Sequence, residues 1–223
     1  MAHIKRNYKR PSGKRDAKLF VVATEGTETE RQYFEGLLTD KYFPNPKVHL
    51  VVLKRLDTAS SPDRVIKLLN EFRKEYSLTM FDEIWMVIDR DKQSWTNQMI
   101  SNIAALCYQK KYNLAISNPC FELWLLLHIK NINEYSKIEL AELFENKKNN
   151  TYRNKLETEL LNILGSYNKA KLDLSKFLPF VHSAIHQAKE LDIYPSERWT
   201  NDIGTRVYRL VEKLIDYSDN VYD

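Results

Sequence analysis

One short stretch near the amino end constrains the fold more than any other part of this chain. Lys18–Thr24 is an apolar run rich in β-branched and aromatic residues, which is the composition of a buried strand. Gly26 interrupts the run, and Thr27 followed three positions later by Glu30 matches the capping box that begins a helix. The pattern predicts a strand, a tight turn and a helix. Glu25 therefore lies at the carboxyl end of a strand, where open α/β sheets place their ligands.

The alternation of strand and helix patterns continues along the chain. Short apolar runs are separated by stretches in which apolar residues recur every three or four positions, the spacing of a helix packed on a sheet. We therefore predict an α/β fold with a mainly parallel sheet flanked by helices on both faces. Its further elements are a helix over 28–39, a strand over 47–53, a helix started by Ser61 and Pro62, a strand over 83–88, a helix over 97–110 and a strand over 113–117.

The carboxyl-terminal part of the chain has a different composition. Asn118 and Pro119 are expected to supply the cap and the first-turn proline of a helix over 120–129. Residues 131–176 are polar and rich in Asn and Lys, and helical stripes follow over 180–191 and 205–217. We predict three parts: a basic, flexible arm (1–17), an α/β core (18–130) and a helical region packed on the core (131–223).

Composition excludes several classes of protein. No apolar run approaches the roughly 20 residues of a membrane span, and no apolar segment follows the basic amino terminus as in a secretory signal. Cys107 and Cys120 are the only cysteines, and they lack the spacing of a disulfide framework or a cysteine zinc site. We expect a cytoplasmic protein with two reduced thiols and no membrane partner.

The positive charge is concentrated in the arm. Residues 1–18 hold seven basic residues against Asp16 alone, whereas the whole chain has a net charge of +4, so the remainder is net negative. Such an arm can neutralise phosphates and gain affinity by releasing counterions. An equally good interpretation is a solvated tail that aids solubility. The predicted nucleic-acid-binding residues are Lys5, Arg6, Lys9, Arg10, Lys14 and Arg15.

An acidic pair follows the predicted strand over 83–88. Asp89 and Asp91 are two positions apart, and in an extended chain such residues point to the same side. Mg²⁺ prefers hard oxygen ligands and is commonly held by one or two carboxylates together with substrate phosphates. Taken alone, the pair is better explained as turn residues.

Glu25 strengthens the metal interpretation of this pair. The first and third strands of a doubly wound sheet can be neighbours, which would bring Glu25 beside Asp89 and Asp91. Clustered carboxylates repel one another unless a cation is present, so we predict a Mg²⁺ or Mn²⁺ site on these three residues. Glu28 and Glu30 are instead interpreted as first-turn acids that favour the helix dipole.

Other polar residues are candidates with competing structural explanations. Glu122 lies in a very apolar helix, and it either points into a polar site or meets a partner, or is a first-turn acid on a solvated edge. Lys169 is a candidate for stabilising developing charge, whereas Lys171 belongs to a solvated run. His182 and His186, with Glu190 one turn further, could form a zinc face, but a solvated helix face is the better explanation because no general base accompanies them.

Several motifs together resemble the RloB-like family associated with abortive-infection and restriction loci. The block over 117–128 (SNPCFELWLLLH) is the most specific, and the block over 205–212 (TRVYRLVE) resembles the family's ending. The family is similar to the Toprim fold of topoisomerases and primases. The resemblance implies that Glu25 is the Toprim glutamate, that Asp89 and Asp91 are the Toprim acidic pair, and that magnesium is the cofactor.

The resemblance also implies a function. We predict a Mg²⁺-dependent nuclease that hydrolyses phosphodiester bonds of RNA or DNA in bacterial anti-phage defence. Nucleic acid and a further defence protein are the expected partners. The alternative is a non-catalytic Toprim-like module that binds a magnesium nucleotide or a nucleic-acid end and signals to a partner. The predicted catalytic residues are Glu25, Asp89, Asp91, Glu122 and Lys169.

Overall fold

The computed structural model describes residues 5–14, 16–54, 61–90, 95–149 and 152–217. Strands and helices alternate through the first half of these residues, and helices dominate the second half. In chain order the elements are β1 (Arg6–Asn7), β2 (Lys18–Thr24), α1 (Thr29–Leu37), β3 (Val48–Leu53), α2 (Pro62–Glu75), β4 (Tyr76–Ser77), β5 (Glu83–Asp89), α3 (Asn97–Lys110), β6 (Asn113–Asn118), α4 (Phe121–Ile129), α5 (Lys137–Glu145), α6 (Lys155–Leu164), α7 (Val181–Leu191), β7 (Gly204–Thr205) and α8 (Val207–Asp216).

The main sheet has five strands in the order β3-β2-β5-β6-β7. The first four run parallel, and β7 is antiparallel to β6. The prediction of an α/β fold with a mainly parallel sheet and a helical carboxyl-terminal region is therefore confirmed. Because β2 and β5 are direct neighbours, the carboxyl ends of the first and third long strands lie side by side.

The two faces of the sheet bury different side chains. Successive residues of a strand point to opposite faces, so Phe20 and Val22 join one apolar cluster while Leu19 and Val21 join another. The first cluster includes apolar residues of α1, α4, α6, α7 and α8, and the second includes those of α2 and α3. The first cluster runs from Phe20 to Leu214, so the carboxyl-terminal helices share a core with the sheet.

Two predicted helix caps are wrong. Helix α1 has Glu28 rather than Thr27 at its cap position, without a side-chain capping bond, because the carboxylate of Glu30 turns back to the loop before the helix. Helix α4 has Cys120 at its cap position. Asn118 instead ends β6, and its side-chain amide donates to the carbonyl oxygens of Thr200, Asn201 and Asp202.

The described part of the arm contacts the body of the protein. Strand β1 pairs in parallel with β4. The Tyr8 ring packs edge-on against the Tyr76 ring with centroids 5.3 Å apart. Arg10 Nη2 donates to Asp82 Oδ1 at 2.5 Å, and Lys14 Nζ donates to the Val48 carbonyl at 2.6 Å. Residues 6–8, Arg10 and Lys14 therefore have defined partners on the surface of the fold.

Candidate functional site

Two adjacent strands bring Glu25 and Asp89 to the same edge of the sheet. Thr24 of β2 pairs with Val87 of β5, and the backbone N–H of Glu25 donates to the Val87 carbonyl at 2.9 Å. Glu25 Oε2 in turn accepts a hydrogen bond from the backbone N–H of Asp89 at 3.2 Å. The fold therefore brings the first two predicted metal ligands together, and the third, Asp91, lies outside the described residues.

Glu30 reaches into this edge from the first turn of α1. Its Oε1 accepts from the backbone N–H of Gly26 at 2.9 Å, and its side chain is almost completely buried. A methyl group added to Gly26 would overlap the Glu30 carboxylate, so this acid occupies the space beside the glycine. Burial and the nearby charge of Glu122 raise the pKa of Glu30 to about 7.

Glu122 enters the site from the first turn of α4. Its carboxylate is buried, and Oε1 lies 2.8 Å from Lys169 Nζ. The Tyr167 hydroxyl donates to the same oxygen at 3.3 Å. Burial alone would raise the pKa of Glu122, but the Lys169 ammonium and the hydrogen bonds to the carboxylate together lower that pKa. Glu122 therefore meets a buried polar partner, and the alternative of a solvated first-turn acid is wrong.

Lys169 joins two acids and is itself fixed by α1. Its Nζ lies 2.6 Å from Glu157 Oε1 as well as beside Glu122. The Lys169 carbonyl accepts from Gln32 Nε2 at 3.2 Å and from Thr29 Oγ1 at 3.3 Å. About half of the Lys169 side chain (48%) remains exposed, so Lys169 lies at the rim of the acidic edge formed by Glu25, Glu30, Asp89 and Glu122.

The electrostatics of the acidic edge centre on Asp89. Burial, followed by the charges of Glu30, Glu122 and Glu25, raises the pKa of Asp89 well above its usual value, and Lys169 opposes this only in part. The edge therefore favours the binding of positive charge, which would relieve the repulsion among its carboxylates. Glu25 and Asp89 offer the hard oxygen atoms that Mg²⁺ prefers. Within the described residues, however, no three His, Cys, Asp or Glu side chains form a group that could hold a metal ion.

The histidines have structural explanations. The His128 ring is buried: its Nδ1 donates to the Trp124 carbonyl at 2.8 Å, and its Nε2 accepts from the Tyr33 hydroxyl at 3.0 Å. The His186 side chain is largely exposed, and its Nδ1 lies 3.8 Å from Glu190 Oε1. This geometry agrees with the interpretation of the α7 histidines as a solvated helix face.

The predicted nucleic-acid-binding residues are divided between two environments. Arg10 and Lys14 are engaged by Asp82 and by backbone carbonyls, as described above. Lys5, Arg6 and Lys9 are exposed, and Arg6 lies 3.9 Å from Glu75. Arg15 lies outside the described residues.

Three residues of the site were missed by sequence reasoning. Glu30 was interpreted as a helix-capping acid, although its position four residues after Gly26 is equally compatible with a bond to the loop. Tyr167 and Glu157 belong to a polar stretch with no motif, and only the packing of that stretch on α1 and α4 brings them to the acidic edge. The one local signal was the proximity of Tyr167 to Lys169 in sequence.

A comparison with protein families gives a match over most of the chain. The family model described as RloB-like protein matches residues 20–214, which is most of the chain. Neither a curated protein nor a solved structure matches it. Among the helices of the described residues, none combines the length and the apolar character that a bilayer span requires.

Proposed function

The chain belongs to the RloB-like protein family, and we propose that it is a divalent-metal-dependent nuclease that acts in defence against phage. The observation that carries the proposal is the meeting of Glu25 and Asp89, from adjacent strands, in an acidic edge whose carboxylates repel one another. The association of the family with abortive-infection and restriction loci supports the defence role. The similarity of the family to the Toprim fold supports phosphodiester chemistry, although a fold alone does not fix a function.

The donor atoms of the edge are compatible with a hard divalent cation. Glu25 and Asp89 would hold Mg²⁺ or Mn²⁺, with Asp91 as the predicted third ligand and substrate phosphate oxygens completing the coordination. When bound, such a cation supplies polarisation of the scissile phosphate and a lower pKa for a coordinated water. Positive charge at the edge would also stabilise the ionised form of Asp89.

The remaining residues of the acidic edge hold the Lys169 ammonium and the loop at Gly26 in place. Lys169 is held by Glu122 and Glu157, yet half of its side chain faces solvent, so its ammonium can contact a phosphate that approaches the edge. Glu122 fixes the direction of Lys169 and is shielded from solvent by burial. Glu30 holds the loop at Gly26 and keeps the Glu25 side of the edge ordered.

A nuclease assay tests the proposal. End-labelled single-stranded, duplex and hairpin RNA and DNA would be incubated with the protein in Mg²⁺, Mn²⁺ or EDTA. We expect cleavage that depends on the metal and is about 100-fold slower or more in Glu25→Gln. The matched control is Glu35→Gln, which removes an exposed carboxylate from α1 and should leave the rate unchanged. If the wild type cleaves nothing but binds a nucleotide in a Mg²⁺-dependent way, the non-catalytic alternative replaces the nuclease.

A further inference from the structure

A basic groove lies at the end of the sheet opposite the acidic edge. Two cavities of about 490 and 530 Å³ adjoin there and share Lys5 and Arg73 in their walls. They are bordered by the last turns of α2 and α3 and by the start of β5. We define the basic groove by the five cationic residues that line these two cavities: Lys5, Arg73, Lys74, Lys110 and Lys111.

The charge of the groove is not neutralised by neighbouring acids in the described part of the chain. None of its five cations forms an ion pair with a described carboxylate, although other basic residues nearby do. The acid that lines the groove is Asp82, whose carboxylate is already bound by Arg10 and by the backbone N–H groups of Leu19 and Thr79. The helix dipoles of α2 and α3 explain basic residues in their last turns, but not the approach of Lys5 from the arm.

Arg73 is held in a fixed position in the groove. One of its Nη1–H groups donates to the Lys110 carbonyl, and its guanidinium carbon lies 5.6 Å from the centre of the Tyr112 ring. The Tyr112 hydroxyl is itself fixed by a hydrogen bond to Asn70 Oδ1 at 3.0 Å. A guanidinium held in this way loses little conformational freedom when it binds a phosphate.

Lys111 occupies a position that ordinarily favours glycine. It directly follows the last residue of α3 and has φ 57° and ψ 41°, in the left-handed region. Glycine is the usual residue at such a position because a Cβ atom is disfavoured there. Glycine can therefore replace Lys111 and remove its ammonium group without a conformational cost.

Exposed apolar and aromatic side chains line the groove or directly adjoin its lining residues in sequence. Met80 lines it and is 90% exposed, and the following residue, Phe81, is 58% exposed. Tyr108, one turn before Lys111 on α3, is 81% exposed. Cationic side chains with exposed aromatic rings beside them are typical of surfaces that bind single-stranded nucleic acid, whose bases stack on the rings.

We propose that the basic groove binds the sugar-phosphate backbone of single-stranded RNA or DNA at a site separate from the acidic edge. Strand β5 has seven residues, so its two ends are roughly 20 Å apart and one nucleotide cannot occupy both sites. The identification of the ligand class rests on the proposed function, but binding in the groove requires neither metal nor catalysis.

Binding of a labelled 30-nucleotide single strand, followed by fluorescence anisotropy in EDTA, tests the groove. The test variant combines Lys74→Gln, Lys110→Gln and Lys111→Gln. The control combines Lys137→Gln, Lys147→Gln and Lys148→Gln, which removes the same charge from exposed positions in the carboxyl-terminal region. Each phosphate contact is worth about fivefold in affinity at 0.1 M salt, so we expect a loss of about 100-fold in the groove variant and a salt slope reduced by about 2.

The variant Lys111→Gly distinguishes a loss of affinity from a loss of stability. Glycine is the better residue for the left-handed conformation, so the melting temperature should hold or rise. The affinity for the single strand should nevertheless fall about fivefold. A variant that binds as tightly as the wild type would overturn the assignment of Lys111 to the ligand.

Three outcomes would overturn the proposal as a whole. One is equal loss of affinity in the groove and control variants, which would indicate an effect of net charge alone. Another is unchanged affinity in the groove variant. A third is binding of polyglutamate, but not of the single strand, to the groove, which would identify an acidic protein as the ligand. If the wild type binds the single strand through the groove but cleaves no nucleic acid, the nuclease proposal is wrong and the groove proposal stands.

Discussion

Glu25 Oε2 accepts a hydrogen bond from the backbone N–H of Asp89, across two strands whose residues are far apart in sequence. The bond joins the carboxyl ends of β2 and β5 at the acidic edge. The bond involves one oxygen of Glu25 and the backbone N–H of Asp89. The Asp89 carboxylate takes no part in it. Substitution of the Asp89 side chain therefore tests the chemistry of the edge while retaining this link.

Asp89→Asn should abolish metal-dependent cleavage, with a rate loss of about 100-fold or more, because it removes an anionic ligand at nearly constant size. The melting temperature in EDTA should hold or rise, since the neutral amide relieves repulsion from Glu30 and Glu122. The control is Asp63→Asn, which makes the same substitution at an exposed position on α2. A variant that melts much earlier would instead identify Asp89 as a structural residue.

Lys169→Met should destabilise the fold by about 1–3 kcal/mol, measured by urea unfolding, because it leaves the buried Glu122 carboxylate without its cation. The expected loss is smaller than for a fully buried pair because 48% of the Lys169 side chain is exposed to solvent. Adding Glu122→Gln to Lys169→Met should restore part of the stability. If the two changes were simply additive, Glu122 and Lys169 would not be coupled.

Asp192→Asn should cost about 3–5 kcal/mol, because it breaks a buried ion pair from one side. Asp192 Oδ1 lies 2.8 Å from Arg206 Nη2, and the Tyr208 hydroxyl donates to Oδ2 at 3.0 Å. Arg206 is 1% exposed, so the variant would leave its guanidinium buried beside a neutral amide. Urea unfolding measures the loss, and a cost below about 1 kcal/mol would contradict a structural role for this pair.

The contribution of His128 to the stability of the fold should fall between pH 7 and pH 5, whereas the raised pKa of Glu30, about 7, works in the opposite direction over the same range. Burial lowers the pKa of His128 to about 3, so the ring stays neutral in the folded state and takes up a proton only on unfolding. The unfolded state binds more protons below the usual histidine pKa of about 6.5, which costs about 2 kcal/mol by pH 5.

The matched variant for this test is His128→Gln, which can keep a donor for the Trp124 carbonyl and an acceptor for the Tyr33 hydroxyl but does not titrate. The difference in unfolding free energy between wild type and variant should shrink as the pH falls from 7 to 5. A constant difference would show that His128 is protonated equally in the folded and unfolded states.

The fold class and four described residues of the candidate site could be predicted from the sequence: Glu25, Asp89, Glu122 and Lys169. The apolar run of Lys18–Thr24 and the periodicity over 97–110 are local patterns, and the structure has β2 and α3 with these bounds. Glu25 and Asp89 follow strands directly, so their place at the carboxyl edge of a parallel sheet follows from the positions of those strands.

The partners of these residues were decided by tertiary structure. A capping bond and a bond to Gly26 are both local options for Glu30, and only the packing of α1 against the sheet brings its carboxylate into the field of Asp89. Lys169 is 47 positions after Glu122 and reaches it because its loop docks on α1. The basic groove likewise joins the arm to the ends of two helices. Local patterns specify where a strand or helix begins, whereas contacts between distant segments depend on the packing of the whole core, which no local pattern contains.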